Sequence, residues 1–160
     1  MTTVRPIAAA DHGLLDEFLY ESLYVPAGAE PFPRDILQRP EIHHYVEGFG
    51  RPGDVGVVAE ADGRVVGAAW ARIVLDPHPG YGNVDAQTPE LVLAVLPEYR
   101  GRGVGTYLLA ALFPALKEAG YARLSLSVQK ANRAVRLYRR LGFEVVRDRD
   151  TDYVMMKNLG

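Results

Sequence analysis

LVLAVLPEYRGRGVGTYLL, residues 91–109, decides how this chain is built. Leu91 to Leu96 is uninterruptedly apolar, the mark of a strand covered on both faces, and so of the centre of a sheet. Pro97 breaks that strand, and the chain turns through Arg100-Gly101-Arg102-Gly103-Val104-Gly105. Val104, Leu108, Leu112 and Leu116 then repeat every four residues, the stripe of a helix over Gly103 to Ala119. Pro114 removes a donor from that helix and predicts a kink, and Gly120 ends it.

A strand that feeds a helix through glycines has a chemical use. The first N–H groups of a helix lack internal partners and sit at the positive end of its dipole. Glycine lets a bulky anion approach that backbone closely, and Arg100 and Arg102 supply cationic donors, so the segment reads as a pyrophosphate seat. The plainer alternative is a tight strand-to-helix turn with no ligand. A Walker A loop is absent, and a dinucleotide fingerprint starting at Gly101 fails because Thr106 stands where its last glycine belongs.

Working outward, Thr3 to Ile7 suits a short strand, and Asp11 an N-cap for a helix reaching about Leu23. Four prolines from Pro26 to Pro40 predict an irregular excursion, and Glu41 to Glu47 a short helix stopped at Gly48. Val55–Glu60 and Arg64–Val74 flank Ala61-Asp62-Gly63, a hairpin signal. A loop rich in Gly, Pro and Asp runs from Asp76 to Thr88. Arg123 to Val128 alternates as a strand, and Asn132 caps a helix that ends at Leu141 before Gly142. Phe143–Arg147 and Tyr153–Lys157 read as a closing hairpin. The order predicts one α/β domain over residues 1–160, a mixed sheet with helices on both faces.

The 160 residues hold no cysteine, which removes disulfides, a thiolate nucleophile and cysteine-based zinc sites. No apolar run approaches the ~18–20 residues of a membrane span, and the N-terminal stretch lacks a signal peptide's apolar core, so a cytoplasmic protein is expected. Charge divides unevenly. Residues 1–99 carry 6 basic and 15 acidic side chains, residues 100–160 carry 12 and 5. That asymmetry suits one polyanionic and one cationic ligand, or is simply uneven surface charge. Nucleic acid is not favoured, because the basic part lacks interleaved aromatics and any groove-reading motif.

Arg100-x-x-Gly103-x-Gly105 after an apolar strand, approached by Val95-x-Pro97-x-Tyr99, resembles the cofactor loop of the GNAT superfamily of N-acetyltransferases. ANRAVRLYRRLGFE, residues 131–144, resembles a second segment of that family at the required spacing. The resemblance covers roughly residues 55 to 157 and implies a GNAT-like domain whose sheet splays open at the cofactor site. It also implies acetyl-CoA as co-substrate, no metal, a small-molecule or peptide amine as acceptor, and a possible homodimer. Backbone N–H groups from Arg102 through Gly103, Val104 and Gly105 to Thr106, beside Gly101, would hold the pyrophosphate. Leu93, Ala94 and Val95 would bond the pantetheine arm as an added strand would. Asn132 would bond the same arm, and Tyr138 would aim its hydroxyl at the sulfur.

The implied chemistry fits these residue types. Amine attack on a thioester expels a thiolate, whose conjugate acid lies near ~8.5 against tyrosine's ~10, so Tyr138 can act as general acid. A lysine-like amine of pKa ~10.4 costs about 4.6 kcal/mol to deprotonate at pH 7, an α-amino group near ~8 only about 1.4. A base is useful in the first case and optional in the second. Glu90 is the nearest candidate, yet it stands one residue closer to the loop than the family's commonest placement, and one residue changes the face of a strand unless a bulge compensates. Each residue keeps a plainer reading: Tyr138 as a core tyrosine, Asn132 as a cap only, Glu90 as a solvated strand-end carboxylate. His43, His44 and His78 read as surface histidines, while Trp70, Arg72 and Tyr81 face the acceptor side in the family. A non-catalytic acyl-CoA-binding or sensor module is the alternative function.

Overall fold

The computed structural model describes all 160 residues. Seven strands form one sheet: β1 (Thr3–Pro6), β2 (Val55–Ala61), β3 (Arg64–Arg72), β4 (Glu90–Val95), β5 (Arg123–Gln129), β6 (Glu144–Asp148) and β7 (Asp152–Asn158). Their order is β1-β2-β3-β4-β5-β7-β6, which puts the apolar strand β4 at the centre. Every pairing is antiparallel except β4 with β5, so the sheet is mixed as expected. The β2–β3 hairpin turns on Asp62 (φ 53°) and Gly63 (φ 77°), two successive left-handed residues of the kind its Asp-Gly signal requires.

Helices cover both faces. Helix α3 (Val104–Glu118) lays Leu108, Leu109, Leu112 and Leu116, all fully buried, on one face against Val57, Ala69 and Leu124. Burying each such leucine is worth about 1.5–3 kcal/mol, which anchors the helix well beyond its own propensity. Helix α1 (Leu15–Ser22) packs Leu15, Phe18 and Leu19 on the opposite face against Val58, Trp70 and Val92. The two faces follow strand parity: Val57 and Ala59 go to α3, Val58 to α1.

Several boundaries differ from the sequence reading. Asp11 does not cap α1. It lies inside a 3-10 helix over Ala9–Leu14, where its carboxylate accepts from the Ala8 N–H at 2.7 Å and is gripped bidentately by Arg5 at 2.7 and 2.9 Å. The helix expected over Glu41–Glu47 shortens to α2 (Pro40–His43) followed by turns, because Pro40 fixes its first position and Tyr45 and Val46 turn into the core. Helix α3 continues through Pro114 and ends in a Schellman motif, with Tyr121 N–H bonded to the Leu116 carbonyl and Gly120 N–H to that of Lys117.

Candidate active site

Between β4 and β5 the parallel register contains a single pair, Glu90 with Ser125, joined by the Ser125 N–H to the Pro89 carbonyl at 3.0 Å. Beyond that point the two strands diverge, which is the splay the resemblance implied. Parity then decides which main-chain groups face the gap. Leu96 donates to Val66 at 2.8 Å, toward β3, so Ala94 and Val92 also turn their main chain to β3. Leu93 and Val95 therefore face the gap, and Ala94, expected beside them, does not. The Val95 carbonyl is taken by the Arg100 Nε–H at 2.9 Å.

At the open end of the gap stands the start of α3. Gly101 (φ 76°) and Gly103 (φ 81°) are both left-handed, and Gly103 is the N-cap. The first helical bond of α3 runs from Tyr107 N–H to the Gly103 carbonyl, so the amides of Val104, Gly105 and Thr106 have no intrahelical acceptor and converge as an anion cradle. Arg100 is turned away from that cradle: its guanidinium reaches Glu21 of α1 at 3.1 Å. Arg102 is exposed, its guanidinium 5.2 Å above the Tyr99 ring, and the Thr106 hydroxyl accepts from Arg140 at 3.4 Å.

Helix α4 (Ala134–Arg140) forms the other wall. The Asn132 side chain accepts from the Ala134 N–H at 2.9 Å, so it caps α4 and leaves its amide NH₂ for another partner. Gly142 (φ 98°) closes α4 with a second Schellman motif, whose Phe143 N–H bonds the Tyr138 carbonyl at 3.0 Å. The apolar contact typical of that motif is Tyr138 on Phe143, ring centroids 5.5 Å apart, which fixes the tyrosine. Burial alone pushes the Tyr138 hydroxyl above its ordinary 10; no charge or hydrogen bond acts on it. Gly105 ties the three elements together: a Cβ there would lie 3.4 Å from Leu137 of α4 and 3.7 Å from Leu93 of β4.

The closed end of the gap is built from side chains. Register between β3 and β4 is continuous from Gly67–Val95 to Arg72–Glu90, so no bulge intervenes and Glu90 keeps the α1 face with Val92 and Ala94. Far from solvated, Glu90 is 2% exposed. Its Oε1 accepts from the Tyr45 hydroxyl at 2.9 Å and the Gly82 N–H at 2.8 Å, while Oε2 is buried without a partner. Desolvation raises its pKa to about 6, against the pull of those two bonds and of Arg149.

Two cavities open beside it. One of about 310 Å³ is lined by Glu41, His44, His78, Pro79 and Tyr81. The other, about 350 Å³, includes His44, Glu47, Arg51, Arg72 and Asp76, and Glu90 lines neither. His44 is not a surface histidine: it is 5% exposed, and both ring nitrogens lack partners. Burial, then His78 at 5.6 Å between ring centroids, lowers its pKa, so it is neutral at pH 7. Trp70 is a core residue whose indole N–H donates to the Tyr45 carbonyl at 2.9 Å. Arg72 is buried in a bidentate pair with Asp54 and donates to the His44 and Glu47 carbonyls, holding the turn that follows α2. Tyr45, Gly80 and Gly82 escaped the sequence reading, since no local periodicity marks contacts that tertiary folding alone creates.

Residues 16–143 match the acetyltransferase (GNAT) family. The chain belongs to that family. It is 41% identical over 99 residues to an N-alpha-acetyltransferase of Sulfurisphaera tokodaii, covering 56% of each chain. It is 34% identical over 93 residues to a mycothiol acetyltransferase of Arthrobacter sp., covering 58% of this chain and 28% of that one. A third relative, a putative ribosomal protein bS18-alanine N-acetyltransferase of Bacillus subtilis, is 28% identical over 142 residues, 88% of this chain and 80% of that one. The chain thus spans about half the length of the first and just over a quarter of the second. Among solved structures it is similar to YncA, a putative acetyltransferase of Salmonella typhimurium with acetyl-CoA (TM-score 0.71, 23% identity, 100% and 95% of the chains). It is also similar to the PaiA N-acetyltransferase of Thermoplasma acidophilum in complex with coenzyme A (TM-score 0.69, 20% identity, 99% of each chain).

Proposed function

We propose that this GNAT chain transfers an acetyl group from acetyl-CoA to a primary amine by direct attack within a ternary complex. The observation that carries the proposal is the convergence at Gly105, where the α3 cradle, the gap-facing strand β4 and the helix bearing Tyr138 meet. Amides 104–106 suit the diphosphate, and the main chain of Leu93 and Val95 suits an extended arm laid in the gap. Asn132 has a free NH₂ for that arm.

In the reaction the amine nitrogen bonds to the thioester carbon, the C–S bond breaks, and the sulfur leaves with the electron pair. Tyr138 stays protonated because it is buried, so it donates a hydrogen bond to that sulfur and hands over the proton. Burial raises a thiol's pKa as it raises a phenol's, so the low-dielectric site does not by itself widen the gap between them. The nitrogen sheds its own proton to solvent, and solvent returns one to the Tyr138 phenolate, which restores the phenol.

An α-amino group is the acceptor we favour. No carboxylate stands open to the gap as a strong base, and an α-amine needs only about 1.4 kcal/mol to lose its proton at pH 7. Two of the similar proteins, the N-alpha- and the alanine N-acetyltransferase, carry names that fit this choice. Glu41, which lines the 310 Å³ cavity, suits an acceptor that arrives as a cation. The test is thiol release from acetyl-CoA with a panel of α-amines and lysine-like amines, wild type against Tyr138→Phe. Transfer to α-amines that collapses in the variant is expected; equal turnover in both removes Tyr138 from the mechanism, and tight coenzyme A binding without transfer favours a binding module.

A further inference from the structure

We infer that Glu90 is a positioning residue that clamps the Gly80–Gly82 loop across the closed end of the β4–β5 gap, and that it is not the base that takes the amine's proton. The inference rests on the acetyl-transfer reading for its kinetic arm only.

Two successive loop amides end on one buried pair. The Gly82 N–H donates to Glu90 Oε1 at 2.8 Å, and the Tyr81 N–H donates to the Tyr45 hydroxyl at 2.9 Å, which itself donates to Oε1. Glu90 sits on β4, whereas Gly82 lies against β5: a Cβ on Gly82 would meet the Leu126 carbonyl carbon at 2.6 Å and the Ser127 nitrogen at 2.7 Å. One carboxylate oxygen therefore fastens a loop that bridges both strands where they part. From the β6–β7 side Arg149 donates to the Tyr81 carbonyl at 2.8 Å, so the loop is held from two directions.

The other oxygen is sealed. The three nearest atoms that a Cβ on Gly80 would meet are Oε2, Cδ and Oε1 of Glu90, all within 2.6 Å. Gly80 lets the loop lie directly on the carboxyl, and its φ is not in the left-handed region, so an alanine there is excluded by Glu90 and not by the backbone. A proton acceptor must be reached by the donor. Here an amine reaches Oε2 only if the loop lifts.

The experiment uses the full chain with Glu90→Gln, Glu90→Ala, Gly80→Ala and the double variant Glu90→Ala/Gly80→Ala, and Tyr45→Phe as a second break of the clamp. Acceptor kinetics use an alanine-initiated tetrapeptide, and hydrogen exchange follows the Tyr81 and Gly82 amides. Glutamine keeps an acceptor oxygen, so Glu90→Gln retains kcat within about threefold, against the ~100-fold or greater loss expected of a removed base. Glu90→Ala and Gly80→Ala raise the peptide's KM with that of acetyl-CoA unchanged, and exchange at both amides quickens by roughly tenfold. Tyr45→Phe quickens Tyr81. Gly80→Ala adds no further change in a Glu90→Ala background, because the atoms it collides with are gone. A ~100-fold loss of kcat in Glu90→Gln, or amides indifferent to Glu90→Ala, overturns the inference. A wild type that acetylates no amine sinks the transfer reading instead, and the exchange arm still decides the clamp.

Discussion

At the open end of the gap the working groups are main-chain amides, presented by one continuous stretch from Leu93 to Thr106. At the closed end they are side chains brought from three places, Tyr45 after α2, Glu90 on β4 and Arg149 beside β7, which together hold the main chain of the Gly80–Gly82 loop. The first arrangement suits what every donor molecule shares, a diphosphate and an extended arm. The second can change residue by residue without disturbing the first. A family that keeps its donor and varies its acceptor gains from keeping them apart.

The largest test of that division is Tyr138→Phe, because Tyr138 stands where the two ends meet. Loss of a general acid lowers kcat by about 10²–10⁴. Coenzyme A affinity, measured by calorimetry, should hold, since the cradle amides are untouched. If the affinity falls with kcat, Tyr138 belongs to the packing of α4 on Phe143 and the two ends are one mechanical unit.

Glu90→Gln probes the closed end through pH. The folded chain raises the Glu90 pKa from 4.5 to about 6, so the fold holds this proton more tightly than the unfolded chain does. The ionised carboxyl therefore costs stability, by about 2 kcal/mol, above pH ~6, and that cost fades as pH falls through 6 toward 4.5. The groups facing Glu90 are the Tyr45 hydroxyl, the Gly82 N–H and the more distant Arg149. Burial keeps the Tyr45 phenol protonated throughout that window. Glu90→Gln should melt higher than wild type at pH 8, with the difference vanishing by pH 4. A constant difference across that range would mean that the carboxyl is solvated in the folded chain.

Gly103→Val acts on the open end alone. A β-branched residue at φ 81° costs roughly 1–2 kcal/mol, which as a distorted cradle weakens coenzyme A binding about tenfold. The peptide's KM should not move. A shift in both would show that the cradle's geometry reaches the acceptor loop.

These two ends also differ in how far the sequence disclosed them. Leu91–Leu96 and Gly101–Gly105 could be placed because local rules govern them: an apolar run buries on both faces, and a glycine pair permits left-handed turns. The Asp62-Gly63 hairpin and the Gly142 stop were legible for the same reason. Ala94 was misplaced among the gap-facing groups because strand parity needs a register, and register comes from β3. His44 read as surface because nothing around it in sequence says that Arg72 pins its turn from 28 positions away. Glu90 showed its type and its off-register spacing, yet its partners Tyr45 and Gly82 appear only when the loop and the α2 turn fold onto the sheet.

Arg100 is the smallest and most local of these tests, and it sits on the border between the two ends. Its place in the motif suggests a phosphate donor, whereas its contacts run elsewhere: Nε–H to the Val95 carbonyl at 2.9 Å, and the other side of the guanidinium to the Glu21 carboxylate at 3.1 Å. Both bonds fasten the end of α1 to the end of β4. The ion pair is half exposed on the arginine side, so its removal should cost under about 1 kcal/mol of stability. If amides 104–106 carry the diphosphate as proposed, Arg100→Ala should leave coenzyme A affinity within about threefold, with no change in its salt dependence. A tenfold loss that steepens at low salt would put Arg100 back on the phosphate, with Glu21 holding it only while the cradle is empty. In that case the donor would have to pull Arg100 off α1 in order to bind, and the acceptor wall would feel every arrival of acetyl-CoA.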